Sequence, residues 1–218
     1  ENSIISTAIS TGFEQYKDID VSLGLSASYD DLRTLSSASS SLKKQSGEFT
    51  EISGNYGFAF DKRNRKFMPT DGSVITFRQA FPIFADKAFI DNTFLASNYV
   101  ALSEDVITAT KLYLTAVNGI NEDVRLSKRK GISTTRLRGF EKGKVGPIDG
   151  NDHIGGNYAA ALNLEANLPN FLPEDSKTDI SVFLDFGNVW GVDYDSSISE
   201  SNKIRSSTGI YASWNSPI

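Results

Sequence analysis

The residues best suited to a specific contact stand in an irregular stretch near the middle of the chain. They are Arg136-Leu137-Arg138-Gly139-Phe140, followed by Val145-Gly146-Pro147. Arginine carries a planar fork of donors that stays charged and grips carboxylates bidentately. A glycine beside it permits close backbone approach or a positive φ, and Phe140 adds aromatic area that pins a loop by packing. Leu137, Arg138, Gly139, Phe140, Gly146 and Pro147 are therefore the candidate residues of a loop that docks. No pattern for bond chemistry accompanies them. His153 is the only histidine and follows Asp152 in a polar loop, whereas a metal site needs several converging ligands. Gly143, Gly146 and Gly150 lack the strand-to-helix setting of a phosphate loop. Ser36 to Ser41 reads as an exposed loop tip. Lys62-Arg63-Asn64-Arg65-Lys66 reads as a solvated basic turn, with anionic headgroups or a lipoprotein as its conceivable contacts. With no catalytic pair, triad or cofactor fingerprint, the expectation is no enzyme, no catalytic residue, no metal and no cofactor.

The elements that must position this loop are written in period two. Ile19, Val21, Leu23, Leu25, Ala27 and Tyr29 share one face, and Asp20, Ser22, Gly24, Ser26 and Ser28 the other. Side chains of a strand alternate in this way. The same alternation predicts strands over 3–12, 17–29, 48–60, 73–82, 93–102, 106–117, 157–168, 179–190 and 203–214, about nine in all and no helix. On 157–168 the polar face carries Asn163 and Glu165; on 179–190 it carries Phe183 and Asp185. Aromatics stand on apolar faces towards strand ends, at Tyr29, Phe60, Phe81, Trp190 and Trp214.

Composition narrows the setting. The net charge of −5 argues against a nucleic-acid surface, and the absence of cysteine excludes disulfides and thiolate metal sites. Glu1 opens no signal-peptide pattern, and no apolar run suits a transmembrane helix. Transmembrane strands need only about 9–11 residues with every second one apolar. An apolar outer face, aromatic girdles and a polar lumen describe a membrane barrel, and a soluble sandwich is the rival reading. The connections favour the barrel. Short ones are expected at 14–16, 61–72, 103–105 and 169–177, and long ones at 30–47, 82–92, 118–156 and 191–202. Such alternation suits short periplasmic turns and long extracellular loops. An odd strand number leaves open edges, which hydrocarbon penalises, so further strands are expected beyond Trp214-Asn215-Ser216-Pro217-Ile218.

Five pieces in order resemble the outer-membrane assembly-factor family, BamA and its relatives in the surface-antigen superfamily. They are Phe67-Met68-Pro69-Thr70-Asp71-Gly72; Leu137-Arg138-Gly139-Phe140 with Val145-Gly146-Pro147; Gly155-Gly156-Asn157 opening a strand that ends Leu168-Pro169; Asp185-Phe186-Gly187-Asn188-Val189-Trp190; and Trp214-Asn215-Ser216-Pro217-Ile218. Leu137 replaces the family's usual valine, and Arg129-Lys130-Gly131-Ile132-Ser133 is more basic than the family's aromatic-Gly-Gly approach.

The resemblance implies an all-β fold: an antiparallel up-and-down transmembrane β-barrel, of which residues 1–218 would supply about nine consecutive strands of sixteen. The long extracellular loop 118–156 would fold into the lumen, where Arg138 would meet Glu165 and Asp185 on the wall. It implies location in the bacterial outer membrane and a role in folding and inserting β-barrel clients. The partners would be unfolded outer-membrane proteins, accessory lipoproteins and outer-membrane lipid, with no nucleic acid. A TamA-like factor or a two-partner secretion pore of the same superfamily is the alternative.

Overall fold

The computed structural model describes residues 2–38, 43–169, 178–198 and 203–214. Alternation becomes nine long strands: β1 (Asn2–Tyr16), β2 (Ile19–Leu32), β3 (Gly47–Asp61), β4 (Gly72–Ala85), β5 (Phe89–Ala101), β6 (Ile107–Gly119) and, after a short hairpin of β7 (Ile148–Asp149) and β8 (Asp152–His153), β9 (Tyr158–Asn167), β10 (Thr178–Trp190) and β11 (Arg205–Trp214). They form one sheet in the order β1-β2-β3-β4-β5-β6-β9-β10-β11, every neighbouring pair antiparallel. Among the described residues β1 and β11 each pair on one side only. No described helix is long and apolar enough to cross a membrane; strands would have to do so.

The sheet is apolar outside and polar inside. Leu25 is 51% exposed and Ile210 71%, while Asp30, Ser181 and Asp185 are at most 1% exposed. Phe58, Phe77, Phe94 and Leu114 pair in turn across β3 to β6 on the outer face. A soluble sandwich buries its apolar face, so this distribution is that of strands facing lipid. The inner face is covered by the 120–157 segment between β6 and β9, which carries a 3-10 turn (Leu126–Lys128) and the β7–β8 hairpin. Strands in a sheet lie about 4.8 Å apart. A segment leaving β6 that touches both β2 and β10 therefore needs a sheet curled around it.

Three features of the connections differ from expectation. The one expected at 82–92 spans only 86–88, because β4 runs on through Pro82. Pro82 sits beside a bulge, where the register shifts between Ile52 and Ser53, and an irregular ladder tolerates its missing N–H. The connection expected as short at 61–72 fills 62–71, so short and long do not alternate strictly. The first turn is at Lys17 and Asp18, with β1 continuing through the expected turn at 14–16. Phe81 lies over Gly54 within β4 rather than at its end. The 169–177 turn beyond Pro169, the loop tips at 39–41 and 199–202, and the motif beyond Trp214 fall outside the described residues.

Candidate functional site

The inner wall of β9 and β10 supplies two carboxylates on adjacent strands. Asp185 pairs with Asn163 and Phe183 pairs with Glu165, so the two acids are diagonal neighbours on one face. Arg138 reaches both. Its Nε donates to Asp185 Oδ2 at 2.7 Å and its Nη2 to Oδ1 at 2.6 Å, the two parallel bonds of a bidentate pair. The same Nη2 lies 3.0 Å from Glu165 Oε1. The backbone N–H of Arg138 also donates to Asp185 Oδ2, at 3.1 Å. The guanidinium lies 3.8 Å from the Phe183 ring centre and 5.2 Å from that of Tyr211, which adds cation–π attraction.

Asp185 has no exposure, and its oxygens are well occupied. Asn163 Nδ2 donates to Oδ1 at 2.7 Å and to the Arg136 carbonyl at 2.8 Å, tying wall and loop backbone together. Lys111 on β6 donates to Glu165 Oε2 at 2.6 Å. Two cations thus face two carboxylates, so the cluster is balanced in charge. Hydrogen bonds to the Asp185 carboxylate raise the Arg138 pKa above its ordinary value, against the burial that lowers it; the guanidinium stays charged.

Packing fixes the loop as firmly as charge. The N–H groups of Arg136 and Leu137 both bond the Ser133 carbonyl, a tight turn that aims Leu137 at the wall. There Leu137, 2% exposed, packs with Ile132, Ala159, Ala161 and Val189, and Phe140, Val145 and Tyr113 close the rim. Gly187 makes room: a Cβ there would stand 2.9 Å from the Ile132 Cδ1. Gly146 has φ +124° and no space, since a Cβ would lie 2.9 Å from that of Val189. Gly139 also takes a positive φ, 81°. Pro147 is fully buried.

Arg138 thus lies against Glu165 and Asp185, while Leu137 and Phe140 pack on the neighbouring apolar cluster and Gly146 stands against Val189. Sequence reasoning missed the roles of Lys111, Asn163, Phe183 and Tyr211. Asn163 and Phe183 carried a usable signal: each stands two positions from a wall acid on the same face. The basic approach to the motif is part of the docking as well. Arg129 pairs with Asp193 at 2.5 Å, and Lys130 with Asp91 on β5.

His153 lies in β8, and no cluster of three or more potential metal ligands occurs among the described residues. In the basic turn Arg63 grips Asp61 with two donors, and Arg65 Nε donates to the Met68 carbonyl at 2.5 Å.

The sequence pattern of the Omp85 superfamily domain matches residues 3–218. The outer membrane protein assembly factor BamA of Neorickettsia risticii is 25% identical over 219 residues, covering 95% of this chain and 29% of that protein. A SAM50-like protein of Schizosaccharomyces pombe is 28% identical over 142 residues, 61% of this chain and 30% of that one. The chain spans less than a third of the length of these curated relatives. The crystal structure of BamA from Haemophilus ducreyi lacking POTRA domains 1-3 matches with a TM-score of 0.84 at 22% identity, over 100% of this chain and 49% of that one. The likeness shows the fold: the nine strands are a consecutive stretch of an antiparallel β-barrel.

Proposed function

Because this chain belongs to the Omp85 superfamily and forms part of an integral β-barrel of the bacterial outer membrane, we propose that the protein folds and inserts other β-barrel proteins into that membrane. In this reading it receives unfolded outer-membrane proteins, works with accessory lipoproteins and performs no bond chemistry. The 118–156 loop lies in the barrel lumen, and its Arg138 holds it to the wall.

The observation that carries the proposal is the bidentate contact of Arg138 with Asp185, backed by Glu165. A pore that must pass solute gains nothing from a loop fixed across its interior by an ion pair on a buried carboxylate. A barrel that must stay sealed while a client pairs with a strand edge does gain from it. Edge pairing of this kind is β-augmentation, and fixing the loop to β9 and β10 concentrates strain and opening elsewhere in the barrel.

The test uses the full-length protein at normal abundance. Arg138→Ala, alone and with Glu165→Gln or Asp185→Asn, should lower the amount of folded client barrels in the outer membrane. Normal client assembly by Arg138→Ala overturns the proposal, and a steady ion conductance through the wild-type barrel points to a secretion pore instead.

A further inference from the structure

The acid pair that receives Arg138 has a second copy on the inner wall. On β10 the pattern is Phe183-Leu184-Asp185, with Glu165 of β9 directly opposite Phe183. On β3 it is Phe49-Thr50-Glu51, with Asp30 of β2 directly opposite Phe49. Each pattern places an aromatic and an acid on the inner face of one strand and a second acid across from the aromatic. The result is a carboxylate pair on a diagonal with a ring beside it. The two lie far apart in the sheet, with β4, β5 and β6 between them.

The second copy is also filled by an arginine of the same segment. Arg125 Nη2 donates to Glu51 Oε2 at 2.9 Å, and its Nη1 lies 3.6 Å from Asp30 Oδ2. Its guanidinium stands 4.8 Å from the Phe49 ring centre and 5.7 Å from that of Phe89. The side chains of Arg125 and Asp30 are each 1% exposed and that of Glu51 8%. The 3-10 turn that follows aims two more groups at the same acids: Lys128 reaches Glu51 at 2.8 Å, and Ser127 donates to Asp30.

We infer that Arg125 is a second anchor of the 120–157 segment, seated in a cradle built like that of Arg138, so that one loop braces β2 and β3 against β9 and β10. Desolvated charges on the wall hold the loop only while their partner is present, and each arginine holds its own end. Losing one anchor frees one end and leaves the other docked. This goes beyond the assembly reading and does not depend on it.

The chain contains no cysteine, and with any cysteine outside it replaced by serine a single introduced thiol reports each end separately. Ser53 lies on the wall at the Arg125 cradle, 4% exposed, and the buried Ser207 hydroxyl lies at the Arg138 cradle. The full-length protein carrying Ser53→Cys or Ser207→Cys is labelled in membranes with a water-soluble maleimide. Arg125→Met should speed labelling of the thiol at 53 at least tenfold and leave that at 207 unchanged. Arg138→Ala should do the reverse. Arg125→Lys should fall between parent and Arg125→Met, because a point charge serves one carboxylate better than two. Should Arg125→Met fail to fold, Asp30→Asn with Glu51→Gln replaces it, with the same expected result. Unchanged labelling at 53 in a folded variant overturns the inference, as does equal acceleration at both thiols by either arginine change. Client assembly is not the readout, so failure of the assembly proposal leaves this result standing, and the converse holds.

Discussion

Arg138 and Asp185 meet fork to fork, with Nε at 2.7 Å and Nη2 at 2.6 Å, on a carboxylate that has no contact with solvent. Removing the arginine leaves that charge buried without its counter-ion. Arg138→Ala should destabilise the barrel by about 3–5 kcal/mol, the usual cost of orphaning one member of a buried pair. The temperature at which the folded electrophoretic form is lost should fall accordingly. Arg138→Lys should recover less than half of that loss, because an ammonium cannot supply two parallel donors.

Asn163 bonds Asp185 and the Arg136 carbonyl with one amide nitrogen. Asn163→Leu removes both bonds at similar volume. A cost of about 1–3 kcal/mol is expected for the unsatisfied acceptors, read as a lower urea midpoint with an unchanged slope.

Gly146 combines φ +124° with Val189 where a Cβ would stand. Gly146→Ala should therefore cost about 1–3 kcal/mol. Adding Val189→Ala should return only part of that loss, because it relieves the contact and leaves the backbone strain. Full recovery in the double-mutant cycle would show that φ contributes nothing.

Leu184 points outward between Leu164 and Thr208. Leu184→Arg should lower the stability of the inserted protein by about 2–4 kcal/mol if it lies near the bilayer midplane. Ser97→Asn, on the inner face opposite Lys111, should change it little. Equal effects of the two in bilayer refolding would refute the assignment of faces.

Two groups outside the strands give pH dependence of opposite sense. Burial of the Tyr194 phenol, and its hydrogen bond to Asp149 at 2.9 Å, raise its pKa above the ordinary value. The unfolded chain releases this proton near pH 10 while the folded loop retains it, so stability falls as pH rises beyond about 10. Tyr194→Phe should remove that slope. For Asp193, burial opposes ionisation, but bonds from the Val124 backbone, Asn157 and Arg129 outweigh it and lower the pKa. Its contribution is present above the unfolded value of about 3.9 and is lost as pH falls through the lower folded value. Asp193→Asn should flatten the acid limb of the stability profile.

The strands were legible because each faces lipid on one side and a polar interior on the other, which writes period two into the chain. The orientation of Glu165 and Asp185 follows from that period alone. Connection lengths were less legible. Pro82 reads as a stop, and only the bulge beside Ile52 and Ser53 explains why β4 passes through it. The Arg125 cradle was not legible at all. Phe49 and Glu51 share a face by alternation, but their relation to Asp30 depends on the register of β2 against β3, which local residue types do not set. The β7–β8 hairpin and the 3-10 turn follow from the docked path of the loop rather than from a pattern of their own.

The pairing of β6 with β9 across the 120–157 segment bears on the order in which the barrel forms. Every other rung in the described sheet closes a shorter stretch of chain, and closure becomes entropically costlier with length. Contacts distant in sequence slow the search for the native state. The β6–β9 seam should thus be the late step in refolding this half of the barrel. The two arginines hold the enclosed segment to different parts of the sheet, β2 and β3 for Arg125 and β9 and β10 for Arg138, so they act after it as brakes on the reverse reaction. Their loss would show chiefly as faster unfolding, with the rate of insertion nearly unchanged.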